Sequence, residues 1–198
     1  MTAQTRSRGY LPHLENQNPI YFVTFRLADS LPREILRQLR AERETIEKAA
    51  SAGVTVAADH FRLLKLRAII QKAERWLDQG SGSCFMKDPR IAGIVADALQ
   101  FFDGKRYRLL AWCVMPNHVH VVFSPLGSYN LQTILHSWKS FSAEQANRLL
   151  GRKGPFWQRE YFDHLVRSDS SLRKIINYVK QNPQKAGLQN WPWIGFMS

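Results

Sequence analysis

Ala111-Trp112-Cys113-Val114-Met115-Pro116-Asn117-His118-Val119-His120-Val121-Val122-Phe123 is the stretch on which the fold turns. Its two ends are apolar, aromatic and β-branched, and Met115-Pro116-Asn117 interrupts them. That pattern predicts two strands, Tyr107 to Val114 and His118 to Phe123, joined by a short turn. Alternate side chains of a strand share a face. His118 and His120 therefore point together, with Val119 on the opposite, buried face. Two imidazoles at that spacing can hold one divalent metal ion. They can equally be two hydrogen-bonded strand histidines, and the pair alone does not decide between these.

Outward from this hairpin, the chain alternates strands and helices. Ile20 to Leu27 reads as a first strand, with Tyr21, Val23, Phe25 and Leu27 on one face and Phe22, Thr24 and Arg26 on the other. Residues 32–50 and 60–78 carry the apolar stripes of two charged amphipathic helices, separated by a break at 51–59. Gly80-Ser81-Gly82-Ser83 is a loop. Asp88-Pro89 has the cap and first-turn proline of a helix running to about Phe102, with Gly104 ending it. Leu131 to Leu150 is a long helix with Leu131, Ile134, Leu135, Trp138, Phe141 and Leu149 inward. His136 shares that helix and reads as structural. Tyr161 to Val166 is a short strand. Ser170 to about Asn182 is the last helix, ended by Pro183. The polar stretch 1–19 reads as an arm. This order predicts an α+β fold, an antiparallel sheet with helices packed on it, ferredoxin-like in character. It forms one domain over 1–198, with a helical insertion at about 33–87.

The 198 residues carry 28 Lys/Arg against 16 Asp/Glu, a net charge of +12. Residues 104–198 hold 13 of the basic and only 4 of the acidic residues. The half with the histidine pair is thus the electropositive half, which favours a polyanionic partner, nucleic acid foremost. Cys84 and Cys113 are too few for a zinc ribbon and read as thiols of a reducing, cytoplasmic compartment. No stretch approaches the length of a membrane span.

A metal on two imidazoles wants a third ligand. In Leu172-Arg173-Lys174-Ile175-Ile176-Asn177-Tyr178-Val179-Lys180-Gln181-Asn182 the apolar stripe is Leu172, Ile175, Ile176 and Val179. Tyr178 and Asn182, four residues apart, lie together on one flank of it. A phenol able to act as nucleophile and an amide oxygen able to ligate a hard cation are then presented side by side. A packed tyrosine and a helix-terminating Asn-Pro are the plainer alternatives for each residue alone.

Taken together, Met115-Pro116-Asn117-His118-Val119-His120-Val121-Val122, Trp138-Lys139-Ser140-Phe141, the run from Phe156 to His164, and the run from Tyr178 to Leu188 resemble the HUH-superfamily single-tyrosine transposases. Among these the chain looks most like the REP-associated tyrosine transposases. The resemblance spans about residues 20–27 and 88–193 and leaves the helical insertion aside. It implies the HUH nuclease fold, with His118 and His120 as the metal-binding pair and Tyr178 as the catalytic tyrosine. Asn182 stands at the position of the third metal ligand, where some relatives use Gln. The implied cofactor is a divalent metal, Mg²⁺ or Mn²⁺. The implied reaction is transesterification on single-stranded DNA at a hairpin, through a 5′-phosphotyrosine intermediate.

DNA binding would rest on phosphate contacts and stacking. The candidates are Arg106, Arg108, Lys139, Arg152, Lys153, Trp157, Arg159, Arg173, Lys174 and Lys185. Lys174, one turn before Tyr178, is a candidate base or a phosphate contact. Asp163 and His164 could orient the tyrosine helix. Two other readings stay open: a non-catalytic binder of structured DNA that keeps the fold, and a hydrolytic nuclease in which Tyr178 is structural.

Overall fold

The structure, a computed structural model, describes residues 19–32 and 75–196, with 34–38, 41–42, 44–45, 68 and 72–73 between them. Its elements are β1 (Ile20–Arg26), α1 (Pro89–Gln100), β2 (Tyr107–Val114), β3 (His118–Pro125), α2 (Leu131–Leu149), β4 (Phe162–Val166), α3 (Asp169–Lys185) and β5 (Ile194–Phe196). A single 3-10 turn, Phe85–Lys87, precedes α1. The five strands form one sheet in the order β4-β1-β3-β2-β5, every pairing antiparallel. The first four strands with α1 and α2 make the βαββαβ arrangement of a ferredoxin-like sheet, as the element order predicts.

The two faces of the sheet are covered differently. Val23, Phe25, Val119, Val121 and Phe123 pack with α1 and α2 in the larger core. Inside it Trp138 Nε1 donates to Tyr107 Oη at 2.8 Å, and that hydroxyl donates to the Leu99 carbonyl at 2.8 Å, so neither buried polar group is orphaned. Phe22, Ala111, Cys113, Met115 and Val122 meet α3 on the other face. Period-two alternation thus sends His118 and His120 to the α3 side, opposite Val119.

Local chemistry explains the ends. Asp88 caps α1 by accepting from Arg90 N at 2.9 Å, with Pro89 in the first turn. Asn130 and Thr133 form a reciprocal capping box on α2.

Three expectations are corrected. The buried stripe of α2 is Ile134, Leu135, Trp138, Ser142 and Ala146, while Phe141 and Leu149 are 50% and 43% exposed. Small residues win there because Trp157 packs down onto the helix and donates its indole N–H to Ser142 Oγ at 2.9 Å. His136 is exposed rather than part of that stripe. Pro183 does not end α3, which continues to Lys185. Asn182 and Pro183 are buried, and Ala186, Gly187 and Leu188 N–H groups satisfy the carbonyls of Asn182, Gln184 and Pro183. Packing and these three terminal hydrogen bonds outweigh the missing proline N–H. Finally, β5 pairs with β2 although three residues gave no strand pattern. Gly195 fits only because it lacks a Cβ, which would strike the Trp112 indole.

Of the two helices expected in the insertion, 34–38, 41–42, 44–45, 68, 72–73 and 75–78 are helical. Lys72 Nζ meets Glu42 Oε1 at 2.9 Å, joining the two segments. The remainder of both helices, the break at 51–59 and the arm at 1–18 lie outside the described residues.

Candidate active site

β3 delivers His118 and His120 to the α3 face with their Nε2 atoms 3.0 Å apart. Both rings are buried. Each Nδ1 is held from behind. His118 Nδ1 lies 2.7 Å from Asn117 Oδ1. The Asn117 amide nitrogen donates to the Leu77 carbonyl at 3.0 Å and the Ser81 carbonyl at 2.9 Å. Those two donations fix which Asn117 atom is oxygen. An amide oxygen only accepts, so His118 Nδ1 carries the proton and its Nε2 presents a lone pair. His120 Nδ1 lies 2.8 Å from Thr24 Oγ1, its register neighbour on β1. A hydroxyl can donate or accept, so His120 is free to take either tautomer.

This has a consequence for what lies between the rings. Two bare lone pairs at 3.0 Å repel. Either His120 Nε2–H donates to His118, or a cation takes both lone pairs while Thr24 accepts from Nδ1–H. Burial, with the neighbouring His120 adding to it, pushes the His118 pKa well below the usual histidine range. Burial alone lowers His120 to about 3. Both imidazoles are therefore neutral near pH 7, the form that ligates metal.

α3 brings Tyr178 over this pair. Its Oη lies 3.5 Å from His120 Nε2, and its ring stands edge-on to His120 with centroids 5.3 Å apart. Phe22 completes the aromatic corner, stacked on His120 at 5.6 Å and edge-on to Tyr178 at 6.0 Å. One turn on, Asn182 is 1% exposed, and its Oδ1 is buried without a hydrogen-bond partner. Lys185 Nζ sits 5.5 Å from the centroid of the Tyr178 ring. Lys174 and Lys185 are both exposed.

The donor set suits a divalent ion in part. Ligands about 2.0–2.1 Å from an octahedral ion are separated by about 2.9 Å when adjacent, and the two Nε2 atoms are 3.0 Å apart. The orphaned Asn182 oxygen is the kind of buried acceptor a cation would satisfy. Among the described residues no three His, Cys, Asp or Glu side chains converge as a ready cage.

The DNA-contact candidates separate. Trp157 is a core residue: buried, edge-on to Phe25 at 4.8 Å, with its N–H on Ser142. It is not available to stack on a base. Lys139 Nζ donates to the carbonyls of Gln158 and Arg159 at 2.8 and 2.9 Å, so it is first a strut between α2 and the 154–161 segment. Burial, then the nearby Arg26 charge, lowers its pKa. Arg106 lies over the Phe102 ring at 3.5 Å, and Arg152 faces Phe85 at 4.8 Å. Arg108, Lys153, Arg159 and Arg173 are exposed. A cleft of about 430 Å³ bounded by Lys139, Arg159 and Tyr161 lies between α2 and residues 154–161, on the side of the sheet away from the histidines. His164 pairs in register with Phe22 on β1, and His164 lowers the Asp163 pKa that burial raises.

Sequence reading missed Thr24, Asn117 and Asp78. Asn117 offered a signal, an amide beside a histidine. Thr24 and Asp78 offered none, since each meets the pair only through the fold.

Comparison with known proteins agrees with the motif reading. Residues 91–182 match the family model described as "Transposase IS200 like". A putative REP-associated tyrosine transposase of Haemophilus influenzae is 27% identical over 104 residues, covering 46% of this chain and 59% of the relative. The REP-associated tyrosine transposase of Escherichia coli K12 is 26% identical over 95 residues, covering 46% of this chain and 54% of the relative. The matched region thus spans between half and three fifths of these curated relatives. Among solved structures, a REP-associated tyrosine transposase bound to a REP hairpin aligns at a TM-score of 0.45 and 16% identity, over 97% of this chain and 82% of that one. A putative transposase from Deinococcus radiodurans aligns at 0.33 and 13%, over 90% and 98%. Residues 91–182, the segment similar to IS200-like transposases, contain both histidines, Tyr178 and Asn182.

Proposed function

We propose that this chain is a metal-dependent single-strand DNA endonuclease and strand transferase acting at hairpin DNA in the cytoplasm, as a transposase of the REP-associated type. The observation that carries the reading is Tyr178 Oη held 3.5 Å from His120 Nε2, above two histidine nitrogens 3.0 Å apart. A nucleophile beside a paired-imidazole site is what phosphoryl transfer through a tyrosine requires. The similarity to IS200-like transposases supports the substrate class, and the names of the curated relatives support the REP-associated branch. The basic half of the chain supports a polyanionic substrate.

His118, His120 and Asn182 would hold the metal, Mg²⁺ or Mn²⁺. When bound, that ion supplies charge for the developing negative oxygens of the scissile phosphate. The chain's own residues do the rest. Asn117 and Thr24 fix both imidazoles, so their Nε2 atoms face one point. α3, packed on β2 and β3, holds the phenol against that point. The Tyr178 oxygen attacks phosphorus, the 3′-oxygen leaves, and a 5′-phosphotyrosine bond forms. One phosphoester replaces another, so a 3′-hydroxyl can reverse the step without ATP. Lys185 places a positive charge beside the Tyr178 ring, where a phosphate oxygen could meet it.

The test is a denaturing gel after incubation with hairpin oligonucleotides and Mn²⁺. A covalent protein–DNA adduct is expected with the intact chain and none with Tyr178→Phe. Cleavage that survives Tyr178→Phe without an adduct would turn the reading to hydrolysis. Tight hairpin binding with no cleavage under any divalent ion would turn it to a non-catalytic DNA binder.

A further inference from the structure

We propose that the cleft between α2 and residues 154–161 is a subsite for one nucleotide of a single DNA strand, its phosphate on Lys139 and Arg159 and its base on the apolar wall. This rests on the DNA reading above and is independent of the metal. It gives the substrate a second hold, on the face of the sheet away from the histidines.

The first ground is what lines the cleft. Its volume is about 430 Å³, within the range of sites that take small ligands. Leu135, Ala143 and Phe156 make an apolar wall, while His136, Lys139 and Arg159 supply the polar edge. Among the described residues no Asp or Glu lines it. The ligand that suits such a lining is a flat, largely apolar body joined to a negative group. A nucleotide of DNA has that form, and basic grooves with apolar or aromatic walls hold single strands in this way.

The second ground is how Lys139 is held. Its Nζ donates to the carbonyls of Gln158 and Arg159 at 2.8 and 2.9 Å. An ammonium has three donors. These two bonds fix the cation at the cleft and leave a third donor for a ligand. Burial, then the nearby Arg26 charge, works against the charged ammonium. A phosphate oxygen at the third donor offsets both.

The third ground is where the wall of the cleft is fastened. Gln158 N donates to the Arg26 carbonyl at 2.8 Å, and Ala28 N donates to the Phe156 carbonyl at 2.9 Å. Arg26 is the register partner of His118. The wall is thus tied to the end of β1 that borders the histidine pair. A strand held at the histidines reaches the cleft around that end of the sheet.

The experiment reads strand binding in the presence of a chelator, so it does not depend on cleavage. Fluorescence anisotropy gives the affinity of a labelled oligothymidine for the full chain and for Ala143→Leu, Ser140→Leu and Arg159→Gln. Unfolding midpoints establish that each variant is folded. Filling the cleft with Ala143→Leu should weaken binding about fivefold or more. Arg159→Gln should lower the log–log salt slope by about one unit. The same oligonucleotide carrying iododeoxyuridine is crosslinked by ultraviolet light, and the expected crosslinks fall on His136 or Tyr161, which line the cleft. Parental affinity in a folded Ala143→Leu, or crosslinks confined to other surfaces, overturns the proposal and leaves the DNA reading standing. Should Ala143→Leu fail to fold, Ser140→Leu, at an exposed position of the same wall, decides in the same way. Saturable binding of free thymidine monophosphate that Ala143→Leu abolishes, with strand binding unchanged, overturns it too and assigns the cleft to a free nucleotide. If the parent binds no oligothymidine, the cleft proposal falls; if it binds no hairpin DNA either, the DNA reading falls with it.

Discussion

Asn117 shows how much one side chain decides at the residue scale. It has one oxygen and one amide nitrogen, and it uses both: oxygen toward His118, nitrogen toward two carbonyls of the insertion. Asn117→Ala removes all three partnerships at once. Buried groups left unpaired cost about 1–3 kcal/mol each, so denaturant unfolding should show a loss of at least about 2 kcal/mol. Loss of the histidine's orienting partner should also weaken Mn²⁺ binding by about 10–100-fold. Equal stability and affinity in the variant would show that the turn holds His118 without the amide. The histidines themselves predict a pH dependence. Their folded pKa values lie below the ordinary value, about 3 for His120. Between about 6.5 and that value the unfolded chain takes up protons that the folded chain refuses. In chelator-treated protein, stability from this source is whole above about pH 6.5 and falls as pH drops, by about 1.4 kcal/mol per pH unit for each histidine. Urea unfolding at pH 7.5, 5.5 and 4.5 measures it. The slope should flatten in a His118→Gln/His120→Gln variant, and an equally steep slope there would assign it to carboxylates instead.

At the scale of elements, the site is a meeting of four pieces. β3 supplies the pair, β1 supplies Thr24, α3 supplies Tyr178 and Asn182, and the end of the insertion supplies the carbonyls that hold Asn117. The weakest joint is the last, because it depends on Gly82. Its φ of +85° and its contact with the Asp29 backbone both exclude a side chain. Gly82→Ala should lower the melting temperature and also disturb the His118 ring, because residues 77–84 must shift. Thermal unfolding together with histidine ring NMR checks this. An unperturbed His118 signal in a destabilised variant would show that the insertion docks without positioning the site. Helix α3 carries the complementary lesson. An Asn-Pro pair reads as a stop, yet burial of Asn182 and Pro183 extends the helix past it.

The whole molecule divides labour between the two faces of one sheet. The α1/α2 face holds the larger core, including Tyr107, Trp138 and Trp157. The α3 face holds a smaller core and the polar site within it. The net charge of +12 is concentrated in the half that builds this site. Hairpin-DNA affinity should therefore fall steeply with salt, with a log–log slope of about −0.7 to −0.9 per phosphate neutralised. Exposed Arg159→Gln and Arg173→Gln should each reduce the slope by about one unit if they touch phosphate, whereas Trp157→Phe should act on stability alone. Filter binding from 50 to 300 mM salt reads both, and a flat salt response would remove the phosphate-contact reading.

The sequence by itself determined four of the five strands, the faces and the chemistry-bearing types. Those follow from local rules, because a strand's period places His118 with His120 and a helix's period places Tyr178 with Asn182. It also determined the caps of α1, which are local hydrogen bonds between neighbours. Only the tertiary structure decided what depends on distant residues. It buried Trp157, exposed Phe141, carried α3 through Pro183, and added β5 through a glycine that accommodates Trp112. It also brought Thr24, from 96 residues away in the chain, onto His120. Asp78 came to His118 the same way, across the fold and without a local signal. Periodicity is a property of a segment. A site assembled from four segments is a property of how they pack, and packing is set by volumes and partners that no single segment contains.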